Sequence, residues 1–94
     1  MTQSQVIRFG VVGLGAISVR HRKIIEETPG AALTALCDPD PRRLAAAGRE
    51  CPAAARFASL GELIRARACD AIVICAPSGL HGDLIEEAAA AGIS

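Results

Sequence analysis

The run Gly13-Leu14-Gly15-Ala16-Ile17-Ser18 joins an apolar β-type stretch to a helix-patterned one, and Asp38 follows 20 residues after Ser18. No other feature of the chain constrains the fold as much. Glycines between a strand and a helix permit a tight turn and let the backbone approach a pyrophosphate. The helix opening near Ala16 aims free N–H groups and the positive end of its dipole at the phosphates, and an acid at this distance reaches ribose hydroxyls. A G-x-G-x-x-G pattern alone is weak evidence; here strand, helix and acid agree on a dinucleotide-binding fingerprint. The third position is Ser18 instead of Gly or Ala, which predicts slightly looser packing of the helix on the strand and unchanged phosphate contacts.

Composition bounds what such a site can serve. The 94 residues read as one small, partial dinucleotide-binding domain spanning 1–94, with a modest core. Hydrophobic residues make up 51% of the chain but aromatics only 2%, with no Trp or Tyr, so Ala, Val, Ile and Leu must build that core. This suits thin helices on a parallel sheet and suits base stacking poorly. A net charge of zero also removes the drive toward a polyanion, so no nucleic-acid partner is expected. The opening MTQSQ has no basic-then-apolar signal pattern. No apolar run approaches the ~20 residues of a membrane helix, and a cytoplasmic protein without membrane association is expected.

Cys37, Cys51, Cys69 and Cys75 contain no C-x-x-C spacing and are not grouped with His21 or His81, so they read as buried or incidental thiols with no metal bound. Cys37 and Cys75 each end a strand. With another strand between them they lie roughly 10 Å apart, too far for a disulfide.

Strand and helix patterns alternate along the chain. Val6 to Val12 is a nearly continuous apolar run, as in a strand covered on both faces. Ile17, Ile24 and Ile25 recur at helical spacing from Ala16 to about Thr28, and Thr28-Pro29-Gly30 ends the pattern. Ala32 to Cys37 is the second strand; Asp40-Pro41 opens the second helix, through about Glu50, as an N-cap followed by proline at the first helical position. Arg56-Phe57-Ala58 is a short edge strand, and Ser59 with Glu62 forms a capping box for a helix to about Ala66. Ala71 to Cys75 is a buried strand, followed by the turn Ala76 to Gly79 and a helix with Leu80, Leu84, Ile85 and Ala88 on its apolar face. Right-handed crossovers turn this order into an α/β, Rossmann-type doubly wound parallel sheet in strand order 3-2-1-4, with a ligand crevice between strands one and four.

Two carboxyl-end loops, Gly13 to Ile17 and Ala76 to His81, converge on that crevice, and Asp38 closes one side. A carboxylate there accepts bonds from the adenosine ribose and repels a 2′-phosphate, favouring NAD over NADP. The competing reading makes Asp38 a turn residue before Pro39. Arg42 and Arg43 could stack on adenine or tolerate a phosphate, but both lie on a helix, where the reading favours solvated charges. His81, near a helix N-terminus, suits holding the Pro77 to Gly79 turn better than acid–base chemistry, and His21 reads as structural. No Ser-His-Asp, Cys-His or paired-carboxylate constellation can be assembled, so no catalytic residue is assigned.

FGVVGLGAISVRH, LCDPD and IVICAPSGLHGDLIEEAAAAG resemble the three signature blocks of the N-terminal domain in the Gfo/Idh/MocA family, named for glucose-fructose oxidoreductase and inositol dehydrogenase. The resemblance covers nearly the whole chain. The Cys75 to His81 block is its most specific part, since the family's fourth strand ends in a Thr/Ala-Pro-Asn/Ser-x-x-His pattern beside the nicotinamide. The resemblance implies NAD as cofactor and places Ala76, Pro77, Ser78, Leu80 and His81 beside it, with Gly13, Gly15, Ala16, Ile17, Asp38 and Arg43 completing the candidate site. It further implies a hydride transfer between the nicotinamide and a hydroxyl of a sugar, sugar-nucleotide or polyol.

Family members continue into a fifth strand ending in Glu-Lys-Pro and then into a sheet-rich C-terminal domain that supplies the substrate pocket; this sequence ends at Ser94. The expectation is therefore dinucleotide binding without turnover in these residues, the small-molecule substrate being bound only in an intact protein. A non-enzymatic dinucleotide sensor and a folded remnant are the alternatives. Without the fifth strand, Ala71 to Cys75 is expected to present an open sheet edge through which the chain self-associates.

Overall fold

The computed structural model describes residues 6–75. Within them lie β1 (Ile7–Val12), α1 (Ala16–Glu27), β2 (Ala31–Cys37), α2 (Pro41–Glu50), β3 (Ala55–Phe57), α3 (Leu60–Arg65) and β4 (Ala71–Ile74). The four strands form one sheet in the order β3-β2-β1-β4, and every pairing is parallel. This is the doubly wound arrangement expected from the alternation of patterns. The helix after Pro77 lies outside the described residues.

The carboxyl-end halves of β1 and β2 are buried on both faces, whereas Ile7 at the start of β1 is about half exposed and β4, expected to be buried, is half-buried. On one face, Val11, Leu33 and Leu36 meet Ile25 of α1 and Ala47 of α2; on the other, Val12, Ala35 and Cys37 meet Leu60 and Leu63 of α3. Leu33 and Leu36 share a face although three residues apart, which strict alternation forbids. The β1–β2 register shifts between Phe9 and Gly10, an irregularity that absorbs one residue of β2. Thr34, at that point, donates its hydroxyl to the Ala68 carbonyl at 2.5 Å, which satisfies a polar group inside an otherwise apolar strand.

Helix boundaries follow the local chemistry. The Asp40 side chain accepts the Arg42 N–H at the start of α2, with Pro41 at the first helical position, and the Ser59 hydroxyl accepts the Glu62 N–H at the start of α3. The first helix lies where its pattern predicts but presents a different face. Ser18, Arg22 and Ile25 are buried, whereas Ile17 is 70% exposed and Ile24 and Val19 are about half exposed. Ser18 does not loosen the contact: it is fully buried, and its hydroxyl donates to the Gly15 carbonyl at 2.7 Å. The buried Arg22 reaches the end of α2, donating to Glu50 Oε1 at 2.8 Å.

Gly10 marks the tightest approach on the α3 face. A Cβ there would stand 2.9 Å from Cys69 Sγ and 3.4 Å from both Ala35 Cβ and Leu63 Cδ1. Gly10→Ala should therefore cost about 1–3 kcal/mol by overpacking, as measured by urea unfolding. Adding Cys69→Ala, which removes the sulfur, should return part of that loss, so the double variant should be more stable than the two single losses added together.

Candidate functional site

The carboxyl ends of β1 and β2 are tied together by backbone and by one side chain. The Gly13 N–H donates to the Cys37 carbonyl at 2.8 Å, and Gly13 takes φ of 92°, a conformation that side chains disfavour. Leu14 then buries its side chain in the α1/α2 core while its N–H donates to Asp38 Oδ2 at 2.7 Å. The other oxygen of that carboxylate, Oδ1, accepts the Asp40 N–H at 2.8 Å, and the Asp38 N–H donates to the Phe57 carbonyl at 3.1 Å. Asp38 is only 4% exposed. It thus makes the turn before Pro39 and grips the glycine loop at once. Each oxygen keeps a further lone pair, so these bonds leave acceptor capacity for ribose hydroxyls.

Gly15 caps α1 without any side-chain cap bond, and its φ of −74° is ordinary. Ala16 and Ile17 follow in the first turn, where N–H groups have no intrahelical acceptor, and both are exposed. The Arg43 guanidinium lies over this turn: Nη1 is 3.7 Å from where a Gly15 Cβ would stand, and Nε is 3.9 Å from Asp40 Oδ2. Gly13, Gly15, Ala16, Ile17, Asp38 and Arg43 therefore come together at the carboxyl ends of β1 and β2. Ala76, Pro77, Ser78, Leu80 and His81 lie outside the described residues. His21 is exposed and, with Arg20 and Ile24, borders an open groove that begins at Ala16 and Ile17.

Two contributions escape a reading of side-chain types. Leu14 acts through its backbone N–H, and Ser18 ties the turn through Gly15; only the hydroxyl at the third fingerprint position offered a signal for the second. Burial pushes the thiols of Cys51, Cys69 and Cys75 up, opposed in part by Arg22 at Cys51 and Cys75 and by Arg8 at Cys69, which makes them poor nucleophiles. Among the described residues no group of three His, Cys, Asp or Glu side chains could hold a metal, and no helix is long and apolar enough to cross a membrane.

A parallel sheet whose first strand ends in a glycine turn, with an uncapped helix N-terminus after it and an acid at the end of the neighbouring strand, defines a dinucleotide-binding fold. The absence of a side chain at Gly15 and the free first-turn amides fit a pyrophosphate. The chain belongs to the Gfo/Idh/MocA oxidoreductase family, whose NAD-binding Rossmann fold matches residues 7–94. It is 37% identical over 91 residues to an inositol 2-dehydrogenase of Corynebacterium glutamicum, covering 96% of this chain and 27% of that protein. A crystal structure of the WlbA dehydrogenase from Bordetella pertussis in complex with NADH and UDP-GlcNAcA superposes with a TM-score of 0.91 at 37% identity, over 99% of this chain and 27% of that one. The scyllo-inositol dehydrogenase of Lactobacillus casei with bound NAD(H) and scyllo-inositol gives 0.87 at 31% identity, over 95% and 26%. The chain thus spans about a quarter of the length of these relatives.

The two fingerprint glycines should separate on substitution. Gly13→Ala forces a side chain into positive φ and should cost about 1–3 kcal/mol in urea unfolding. Gly15→Ala meets no backbone strain and only a flexible guanidinium, so stability should stay within about 0.5 kcal/mol. Its methyl nonetheless stands where a pyrophosphate approaches, and calorimetry should show NAD affinity falling on the order of tenfold.

Proposed function

We propose that these residues are the cofactor half of an NAD-dependent dehydrogenase acting on a hydroxyl of a polyol, sugar or sugar-nucleotide. The observation that carries this reading is the convergence of Asp38, the Gly13–Gly15 turn and the first turn of α1 at the carboxyl ends of β1 and β2. The substrate class rests on what the relatives' names state, an inositol 2-dehydrogenase and structures holding scyllo-inositol or UDP-GlcNAcA.

When bound, the nicotinamide supplies the hydride acceptor. This chain's own residues orient it. The first-turn amides of Ala16 and Ile17 meet the pyrophosphate with the positive end of the α1 dipole behind them. Asp38 uses its remaining lone pairs on the adenosine ribose, and Arg43, lying beside Gly15, flanks the adenosine side with its guanidinium plane. By the family resemblance, the Ala76 to His81 segment borders the nicotinamide. Substrate choice and proton transfer belong to residues outside this set, so turnover of inositol or UDP-sugars by these 94 residues should be undetectable. The reading also includes a cytoplasmic location and self-association through the outer edge of β4.

The cofactor preference tests the proposal directly. A 2′-phosphate would meet the Asp38 carboxylate as a like charge, so titration calorimetry should give NADH a tighter Kd than NADPH, by about tenfold or more. Equal affinity for the two would overturn the assignment of Asp38 to the ribose.

A further inference from the structure

We infer that Asp38 is a positioning residue for the whole pyrophosphate-binding turn, a role separate from any contact it makes with the ribose. The residue is 4% exposed, and its two carboxylate oxygens already accept two backbone N–H groups, from Leu14 at 2.7 Å and from Asp40 at 2.8 Å. A ribose can meet only the lone pairs that these two bonds leave free. The carboxylate is built into the protein from both sides, and the bond to Leu14 crosses from the end of β2 to the glycine turn, 24 positions away in sequence.

The mechanical consequence follows from what flanks Leu14. Gly13 on one side is held at φ 92° and bonded to Cys37; Gly15 on the other side caps α1 with no side-chain bond of its own. Between two glycines the backbone has the widest conformational freedom, and the Leu14 N–H is gripped there by a side chain from the end of the neighbouring strand. A charge-assisted bond there removes that freedom before a ligand arrives. It also occupies the Leu14 N–H, so the amides left for phosphate are those farther along, at the start of α1. Asp38 therefore sets both the shape of the anion site and which amides it offers.

This deepens the dinucleotide reading, and the experiment separates the two. In the unliganded full chain, amide hydrogen exchange followed by NMR should show Leu14 protected and Ala16 fast; a fast Leu14 overturns the proposal without any variant. Asp38→Asn, isosteric but uncharged, should speed Leu14 exchange by about tenfold or more while Val11 in the core of β1 keeps its protection. Binding is then measured with two probes, ADP and 2′,3′-dideoxy-ADP, the second lacking the hydroxyls that a ribose contact needs. If Asp38 positions the turn, Asp38→Asn weakens both probes, the dideoxy one by about tenfold. If Asp38 only bonds the ribose, the variant weakens ADP and leaves dideoxy-ADP unchanged, and the proposal fails. If the unsubstituted chain binds neither probe, the dinucleotide reading is what fails, and Leu14 exchange alone decides whether Asp38 sets the turn.

Discussion

The bond from the Leu14 N–H to Asp38 Oδ2 joins the ends of the two central strands, and the rest of the crevice takes its position from that junction. Backbone pairing brings Val12 beside Cys37, but pairing stops there, and a turn lined with glycine has no preferred path of its own. A buried carboxylate supplies one. Hydrogen bonds to a charged group contribute about 1.5–3 kcal/mol each, and two of them return part of the cost of taking the carboxylate out of water. The same group fixes the start of α2 through Asp40, whose own side chain caps that helix. The Arg43 guanidinium, two residues into α2 from Pro41, is carried over Gly15 as a result.

Helix α1 is held by unusual means for an apolar core. Of its three buried residues only Ile25 is a large hydrophobe; Ser18 is small and Arg22 is charged. Small size at 18 lets the helix start lie close to the sheet, which is what an anion site at its N-terminus requires. Arg22 then bridges to Glu50 and to Cys51 Sγ at 3.9 Å, but its buried Nε has no hydrogen-bond partner among the described residues. Burying a guanidinium costs more than an exposed carboxylate returns, and the Glu50 side chain is 61% exposed. The pair therefore fixes how α1 sits against α2 more than it adds stability.

Much of this was legible in the sequence because local signals and global pattern agree. Asp40-Pro41 and Ser59 with Glu62 mark helix starts by side-chain chemistry that works within one turn, and both starts are where the structure has them. The apolar runs before Gly13 and before Ala76 mark β1 and β4, and strand order follows from crossover handedness. What stayed hidden depends on contacts distant in sequence. The face that α1 buries could not be read from Ile17 and Ile24, since the apolar spacing that identifies the helix points outward at both. The irregularity near Thr34 leaves no mark in the run Ala31–Cys37, because it is set by the β1–β2 register and the Ala68 carbonyl. Asp38 was recognisable as an acid at the right distance; that its bonds go first to backbone was not, because Leu14 contributes an N–H that every residue but proline carries.

The three described helices differ in one respect that bears on chemistry. Asp40 and Ser59 cap α2 and α3 with side-chain oxygens, and α1 starts from Gly15 with none. A glycine cap is worth only roughly a few tenths of a kcal/mol less than a Ser or Asp, so α1 gives up little stability. An oxygen at Gly15 would have satisfied one of the first-turn amides and placed negative charge or a lone pair where an anion is to bind. Leaving it out keeps those donors and the dipole unscreened at the single helix start that Asp38 and Gly13 hold in place. On the proposed reading, withholding a cap at a supported turn is what makes the anion site, and ordered donors lose little freedom when the ligand arrives.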